Sequence, residues 1–245
     1  MDFWDLFIIL KAKLSIILLL DFIRMEEKKL LIIGCGRSGT LYSADVWRSL
    51  GLDIVHERDH RSGLYNGIDG IASWFSVVDD PNPPFGPSII GQDFKLILHQ
   101  VRHPLKVISS FAQFILQKGE KSPKFIEKHV PETRLTDAER LLDPQQQLIL
   151  QAARYWFYWN ELAEHKADKT IRLEDLKDEL PWLCNYLGIK FQPNVVDNIS
   201  KSTNSRQIYI KENFWKIDWK YIEQLDSALH DKIRDLACKY GYRED

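Results

Sequence analysis

Cysteine is scarce in this chain, with 3 residues among 245. Cys35, Cys184 and Cys238 are far apart and form no C-x-x-C pair, so their spacing predicts neither a zinc site nor a disulfide framework. A strong charge of one sign is also absent, because the formal net charge is −2, whereas a nucleic-acid-binding surface is usually strongly basic. Internal repeats and low-complexity linkers are missing too. These absences favour one globular domain in a reducing compartment and exclude a nucleic-acid partner.

The first two dozen residues form a hydrophobic stretch of unusual character. Residues 3–23 are mostly Leu, Ile and Phe and are long enough to span a bilayer, but Lys11 and Lys13 lie near the centre. On an insertion scale the Leu, Ile and Phe residues contribute roughly −6 kcal/mol and the two lysines cost about +5 to +7 kcal/mol. The free energy of membrane insertion is therefore close to zero. The acidic N-terminal region, without a small-residue cleavage site, argues against a secretory signal.

We therefore separate residues 1–24, as a hydrophobic appendage, from a single domain formed by residues 25–245. Two interpretations of the appendage remain open. It either makes a peripheral membrane contact through residues 3–23 or lies upstream of a natural start at Met25. The expected location of the domain is cytoplasmic, with membrane association under the first interpretation. The sequence does not predict the oligomeric state.

Apolar runs alternate with helical patterns along the domain. Strands are predicted at residues 29–33, 53–56, 94–101 and 169–173. Helices are predicted at residues 38–50, 70–78, 137–164 and 219–240, and a polar surface excursion at residues 118–136. This alternation predicts an α/β fold with a central parallel sheet covered on both faces, in three α/β/α layers.

The clearest motif joins the first predicted strand to the first helix, where the apolar residues 30–33 run into GCGRSGT at residues 34–40. A buried strand, a glycine turn and a helix N-terminus together form an anion site, because loop amides and the helix dipole favour negative charge. The spacing is similar to the P-loop pattern G-x-x-x-x-G-K-[ST], but Thr40 stands in place of the lysine. The positive charge lies inside the loop, at Arg37. Cys35 is expected to be an exposed thiol in this turn.

A second anion motif, VRHPLKVISS, occupies residues 101–110 at another strand end followed by a helix start. The guanidinium of Arg102 offers a bidentate fork to a phosphate, and Ser110 on the helix supplies a hydroxyl. Both motifs follow predicted parallel strands. We therefore expect them to meet at the carboxyl edge of the sheet, where open α/β sheets bind ligands.

The two motifs resemble those of one enzyme family. G-x-x-R-S-G-T resembles the 5′-phosphosulfate loop of sulfotransferases that use 3′-phosphoadenosine 5′-phosphosulfate (PAPS). The R-x-P turn at Arg102, with a serine eight residues later, resembles their 3′-phosphate motif. Similar to further family segments are RLEDL at residues 172–176, in which Leu173 replaces a tyrosine, YLGI at residues 186–189 and YGY at residues 240–242. The likeness spans residues 25–245 and is greatest to a bacterial and plant-type branch.

This resemblance implies a P-loop NTPase-like sulfotransferase fold, PAPS as co-substrate and no metal. It implies nucleotide contacts from the glycine loop, the second motif and a late polar segment, namely Gly36, Arg37, Ser38, Gly39, Thr40, Leu41, Arg102, Ser110, Ser202 and Arg206. Arg37 takes the place of the family's cationic residue at the leaving phosphosulfate. Family members use His or Glu as the catalytic base. Glu57 matches the placement in the tyrosylprotein sulfotransferases, and His56 is the competing choice.

The expected reaction is transfer of a sulfuryl group from PAPS to a hydroxyl or amine of a carbohydrate, lipid, small molecule or tyrosyl peptide. As in phosphoryl transfer, positioning and charge stabilisation do most of the catalysis. The alternative is another P-loop-like nucleotide-binding protein, either kinase-like or a catalytically silent module. The absent loop lysine weighs against an NTPase. Residues 61–92 and 118–136, which would form the acceptor pocket, do not identify the acceptor.

Overall fold

The computed structural model describes residues 27–57, 63–113, 121–194, 199 and 215–243. The predicted appendage at residues 1–24 lies outside the described residues, as do Ser202 and Arg206. Among the described residues, no α-helix has the length and apolar character needed to cross a membrane.

A five-stranded, all-parallel sheet forms the centre of the domain. Its strands are β1 (Leu30–Gly34), β2 (Ile54–His56), β3 (Gly70–Ala72), β4 (Ile97–Val101) and β5 (Lys169–Arg172), in the order β2-β3-β1-β4-β5. All five residues of β1 are buried. A central parallel strand is covered on both faces, which explains why residues 30–33 are continuously apolar.

Seven α-helices belong to the described part of the chain. They are α1 (Thr40–Ser49), α2 (Pro104–Phe111), α3 (Lys121–His129), α4 (Pro144–Lys166), α5 (Leu176–Leu187), α6 (Trp219–Leu225) and α7 (Ser227–Lys239). Because side chains alternate along a strand, β1 contributes to two separate cores. Leu30 and Ile32 pack with residues of α1 and α5, while Leu31 and Ile33 pack with residues of α2, α4 and α7. The predicted α/β architecture, a parallel sheet with helices on both faces, is confirmed.

The chain changes direction across the sheet between β1 and β4. From β1 it passes through α1 to β2 on one side, whereas β4 leads through α2 and α4 to β5 on the other side. The carboxyl ends of β1 and β4 therefore flank the kind of crevice in which open α/β sheets bind ligands. Both predicted anion motifs begin at these two strand ends.

The prediction of a buried helix at residues 70–78 is wrong. Residues Gly70–Ala72 form β3, between β2 and β1, and Phe75–Val77 form a short 3-10 helix. A short, fully buried apolar run has neither the two-residue nor the helical period, so periodicity could not identify the strand. Gly70 lies so close to its neighbour that a Cβ atom would be 2.1 Å from the carbonyl oxygen of Leu30.

The prediction of a polar surface excursion at residues 118–136 is wrong where these residues form α3. Phe125 and Ile126 on this helix are buried in the core. The end of the helix is fixed by Asp80, a buried carboxylate 2.5 Å from Nζ of Lys128 and 2.8 Å from Nε2 of His129. The hydrogen bond from Lys128 lowers the pKa of Asp80 to about 2. Only Phe125 and Ile126 of α3 are buried, too few for the sequence to show an apolar face among the lysines.

The close approach of β1 to β4 predicts a severe effect of Gly34→Ala. A Cβ atom at Gly34 would lie 2.2 Å from the carbonyl oxygen of Gln100, so the two strands would have to separate. We expect a loss of about 3 kcal/mol or more in the free energy of unfolding, measured by urea denaturation. Gly51→Ala is the matched control, since Gly51 also has a positive φ of 93° but a Cβ atom there would meet nothing within 4 Å. It should cost only about 1–2 kcal/mol. Equal losses in the two variants would contradict the close approach.

Candidate functional site

The glycine loop, residues 34–40, turns at the carboxyl end of the central strand and leads directly into α1. Gly39, with φ of 94°, lies so close to the residue that follows β5 that a Cβ atom would be 2.8 Å from the Leu173 side chain. Arg37 has φ of 76°, and no other non-glycine residue in the described ranges has a positive φ. This conformation costs roughly 1–2 kcal/mol and persists only where the surroundings fix it, as at many functional sites. The loop therefore has a defined shape beside the positive end of the α1 dipole.

Arg37 connects the two anion motifs. Its Nε donates a hydrogen bond to Oγ of Ser110 on α2, at 2.8 Å. Arg102, immediately after β4, donates through Nη1 to the carbonyl oxygen of Arg37, at 3.2 Å. The structure thus brings together three residues that the sequence places in two separate motifs. Their roles toward a nucleotide stay predictions.

Two further side chains, which the sequence did not single out, hold the loop backbone. Oη of Tyr155 on α4 accepts the N–H of Gly36 at 2.7 Å, and Nε2 of Gln100 donates to the carbonyl oxygen of Ser38 at 2.8 Å. The Gly36 amide is therefore engaged within the protein, although the sequence assigns Gly36 to the nucleotide. The only sign of Gln100 in the sequence is that it is a polar residue within the mostly apolar β4.

Ser38, Thr40 and Leu41, which follow the loop arginine, have different surroundings. The Oγ atom of Ser38 is buried and has no hydrogen-bond partner among the described residues. Thr40 opens α1, and Leu41 follows it, half-buried, in the first helical turn. A buried hydroxyl without a partner in the protein requires a water or a ligand to satisfy it. This atom is the clearest indication in the loop of a group that belongs there.

Cys35 is not the exposed thiol that the sequence predicts. It is fully buried, and its Sγ lies 3.6 Å from the carbonyl oxygen of Trp156. Burial raises the pKa of the Cys35 thiol well above its ordinary value. The prediction failed because the loop packs onto α4, a contact 120 residues away in sequence.

The two candidate bases form a buried pair at the end of β2. His56 is the last residue of the strand, and its Nε2 lies 2.6 Å from Oε2 of Glu57 and 3.2 Å from Oγ1 of Thr40. Oε1 of Glu57 accepts the backbone N–H of Trp74 at 2.8 Å. The two side chains are only 8% and 9% exposed. The pair is thus fixed beside the first residue of α1, and the geometry does not choose between the two bases.

An open cleft of about 750 Å³ begins at His103, the residue that follows Arg102 in the chain. It is lined by His103, Arg172, Lys239, Tyr240, Gly241, Tyr242 and Arg243. Two of its cations are already paired, since Arg172 binds Asp175 at 2.5 and 2.8 Å and Lys239 lies 2.6 Å from Glu164. The glycine loop, where Arg37 binds a neutral hydroxyl and Arg102 a backbone carbonyl oxygen, remains the candidate anion site. No group of three potential metal-binding side chains occurs in the described ranges.

No protein-family model, curated protein or solved structure matches this chain. Its function is therefore inferred from the contacts of the loop and from the family resemblance of its two motifs.

The burial of Cys35 predicts a sharp difference among the three thiols. Cys238 is exposed, whereas Cys35 and Cys184 are buried. Because a buried thiol with a raised pKa forms little thiolate, we expect iodoacetamide to label Cys238 alone in the native protein. Peptide mass spectrometry, with the urea-unfolded protein as the control for full labelling, measures this. Rapid labelling of Cys35 in the folded chain would contradict the packing of the loop onto α4.

Proposed function

We propose that this protein is a sulfotransferase that moves a sulfuryl group from PAPS to a hydroxyl or amine of an acceptor. We further propose that its α/β domain has the P-loop NTPase-like sulfotransferase fold. The observation that carries the proposal is the contact group of Arg37, Arg102 and Ser110 at the glycine loop. PAPS carries two separate anionic groups, a 5′-phosphosulfate and a 3′-phosphate. Two guanidinium groups from two strand ends, one bound to the Ser110 hydroxyl and the other to the Arg37 carbonyl oxygen, suit such a ligand better than a single phosphate.

The residues present fit this co-substrate. Residues 37–41 would hold the 5′-phosphosulfate with the Arg37 guanidinium, the Ser38 hydroxyl, for which the described residues offer no hydrogen-bond partner, and the amides at the N-terminus of α1. Arg102 and Ser110 would hold the 3′-phosphate. When bound, PAPS supplies the sulfuryl group and a stable leaving nucleotide. The charge of Arg37 stabilises the negative charge that develops on the leaving side.

A base must remove the proton of the acceptor. In our assignment the carboxylate of Glu57 takes this proton, and His56, 2.6 Å away, holds the carboxylate in place. Each carboxylate oxygen has two lone-pair positions, so the bonds to Trp74 and His56 leave Glu57 able to accept a third partner. His56 contacts Thr40 at the start of α1, which is the end of the loop where we propose that the phosphosulfate binds. In the competing assignment, His56 is the base and Glu57 orients it.

One observation favours a second candidate function. Glu57 is bound to a backbone amide and to His56, which is also the arrangement of a structural carboxylate. A catalytically silent module that binds PAPS or a related nucleotide would keep the loop contacts without using this pair. A kinase-like function is weaker, because Thr40 replaces the P-loop lysine. In thermal-shift measurements, stabilisation by 3′,5′-ADP supports a PAPS site, which the sulfotransferase and the silent module share, and stabilisation by ATP alone contradicts both. Transfer of radiolabelled sulfate from PAPS then separates the enzyme from the silent module.

Replacing Arg102 tests the proposed 3′-phosphate site. We expect Arg102→Ala to weaken the binding of 3′,5′-ADP by roughly 2–4 kcal/mol in calorimetry, because a charged partner is lost. Arg102→Lys keeps the charge but not the fork, so its effect should be intermediate. Arg134→Ala is the control, since the Arg134 side chain is 60% exposed and contacts only surface groups such as Glu127. Unchanged affinity in Arg102→Ala would place the 3′-phosphate elsewhere.

The choice of base is tested with two variants under identical conditions. Glu57→Gln preserves the shape and an acceptor for the Trp74 amide but cannot take a proton, so turnover should fall by about 10²–10⁴-fold. The affinity for 3′,5′-ADP should barely change. The measurement uses radiolabelled PAPS and an acceptor found by screening hydroxyl and amine compounds. If His56→Ala is inactive while Glu57→Gln is active, the base is His56. If both variants turn over normally, neither residue is the base.

A further inference from the structure

In three consecutive loop residues, the backbone forms a hydrogen bond with a side chain from outside the loop. Tyr155 binds the N–H of Gly36, Arg102 binds the carbonyl oxygen of Arg37, and Gln100 binds the carbonyl oxygen of Ser38. Arg102 already has a proposed role in nucleotide binding. Gln100 has none, although it is fully buried and lies directly opposite Gly34 in the β1–β4 pairing.

The orientation of the Gln100 amide is fixed on both sides. Its Oε1 accepts a hydrogen bond from the hydroxyl of Ser43, a buried residue in α1, and its Nε2 donates to Ser38 at 2.8 Å. A backbone carbonyl oxygen can only accept, so the NH₂ group must face Ser38. The amide cannot turn over without losing this bond. Gln100 therefore ties the loop and the first turns of α1 to one point on β4.

This contact determines which way the next backbone amide points. In a trans peptide unit the C=O of one residue and the N–H of the following residue point in opposite directions. The described residues contain no cis peptide bond. Because the Ser38 carbonyl oxygen faces Gln100 on β4, the Gly39 N–H points away from Gln100, to the side that we call the open side of the loop. Tyr155 has the opposite effect at Gly36, whose N–H it engages inside the protein.

We propose that Gln100 is a positioning residue that aims the Gly39 amide at the 5′-phosphosulfate. It touches neither the nucleotide nor the acceptor and acts through the Ser38–Gly39 peptide. The identity of the anion rests on the proposed sulfotransferase function, whereas the orientation of the peptide does not. Without Gln100, the peptide can rotate and present a carbonyl oxygen, which repels an anion, to the open side of the loop.

Gln100→Leu tests the proposal, with Asn160→Leu as the matched control. Both side chains are fully buried amides with two partners, and Asn160 bonds to His99 and to the carbonyl oxygen of Trp156, outside the loop. We expect both variants to lose thermal stability. Only Gln100→Leu should weaken the binding of 3′,5′-ADP, by about tenfold, as for one lost hydrogen bond. Equal affinities of the two variants for 3′,5′-ADP would overturn the proposal.

A second variant and a second readout make the test independent of folding and of the ligand. Ser43→Ala removes the hydroxyl that orients Gln100 and should weaken binding in the same direction, by a smaller factor. The ¹⁵N–¹H signal of Gly39, followed in titrations with 3′,5′-ADP and with inorganic pyrophosphate, should shift in the wild type and shift less in the variants. A response to pyrophosphate without one to 3′,5′-ADP would contradict the sulfotransferase and retain the positioning role. A Gly39 signal that shifts equally in wild type and variants would overturn the positioning role.

Discussion

The close pairing of β1 with β4 is the constraint on which the site depends. It is possible only because residue 34 has no side chain, since a Cβ atom there would meet the Gln100 carbonyl oxygen at 2.2 Å. This approach places the end of β4 directly under the glycine loop. Gln100 and Arg102 then reach consecutive carbonyl oxygens of that loop. One backbone contact thus sets the positions of both motifs.

The contacts between the two motifs bring the positive charges of Arg37 and Arg102 to one place at the carboxyl edge of the sheet. Arg102 contacts the carbonyl oxygen of Arg37 and not its guanidinium, and Ser110 accepts from Arg37 as a neutral hydroxyl. Together with the α1 dipole, the two arginines favour an anion at the carboxyl edge of the sheet. Tyr155 contributes no charge to the site, because burial raises its pKa well above the ordinary value and keeps it a neutral phenol.

Much of the fold could be predicted from the sequence because its signals are local. The apolar runs of β1 and β4 and the two strand-end motifs were recognisable, and the structure places both motifs at adjacent strand ends. β3 could not be recognised, since three buried residues carry no periodicity. The long helix predicted from residue 137 begins at Pro144, where Asp143 forms a capping box with Gln146. Gln100 and Tyr155 were missed because their partners lie 62 and 119 residues away.

Under the proposed function, the position of the His56–Glu57 pair would determine from which side an acceptor approaches. β2 is an edge strand, and β3 separates it from β1. If the two side chains continued along the direction of β2, they would lie two strands away from the loop. The contact of His56 with Thr40 shows that it leans back over the end of β3. The nucleotide motifs occupy the opposite side, over β1 and β4. In the proposed function an acceptor would therefore enter over β2 and β3. Gly86 borders Glu57 there, since a Cβ atom at Gly86 would be in van der Waals contact with Cγ of Glu57, at 3.5 Å. Residues 79–92, which carry Gly86, are thus the segment whose side chains would decide which acceptors can reach the base.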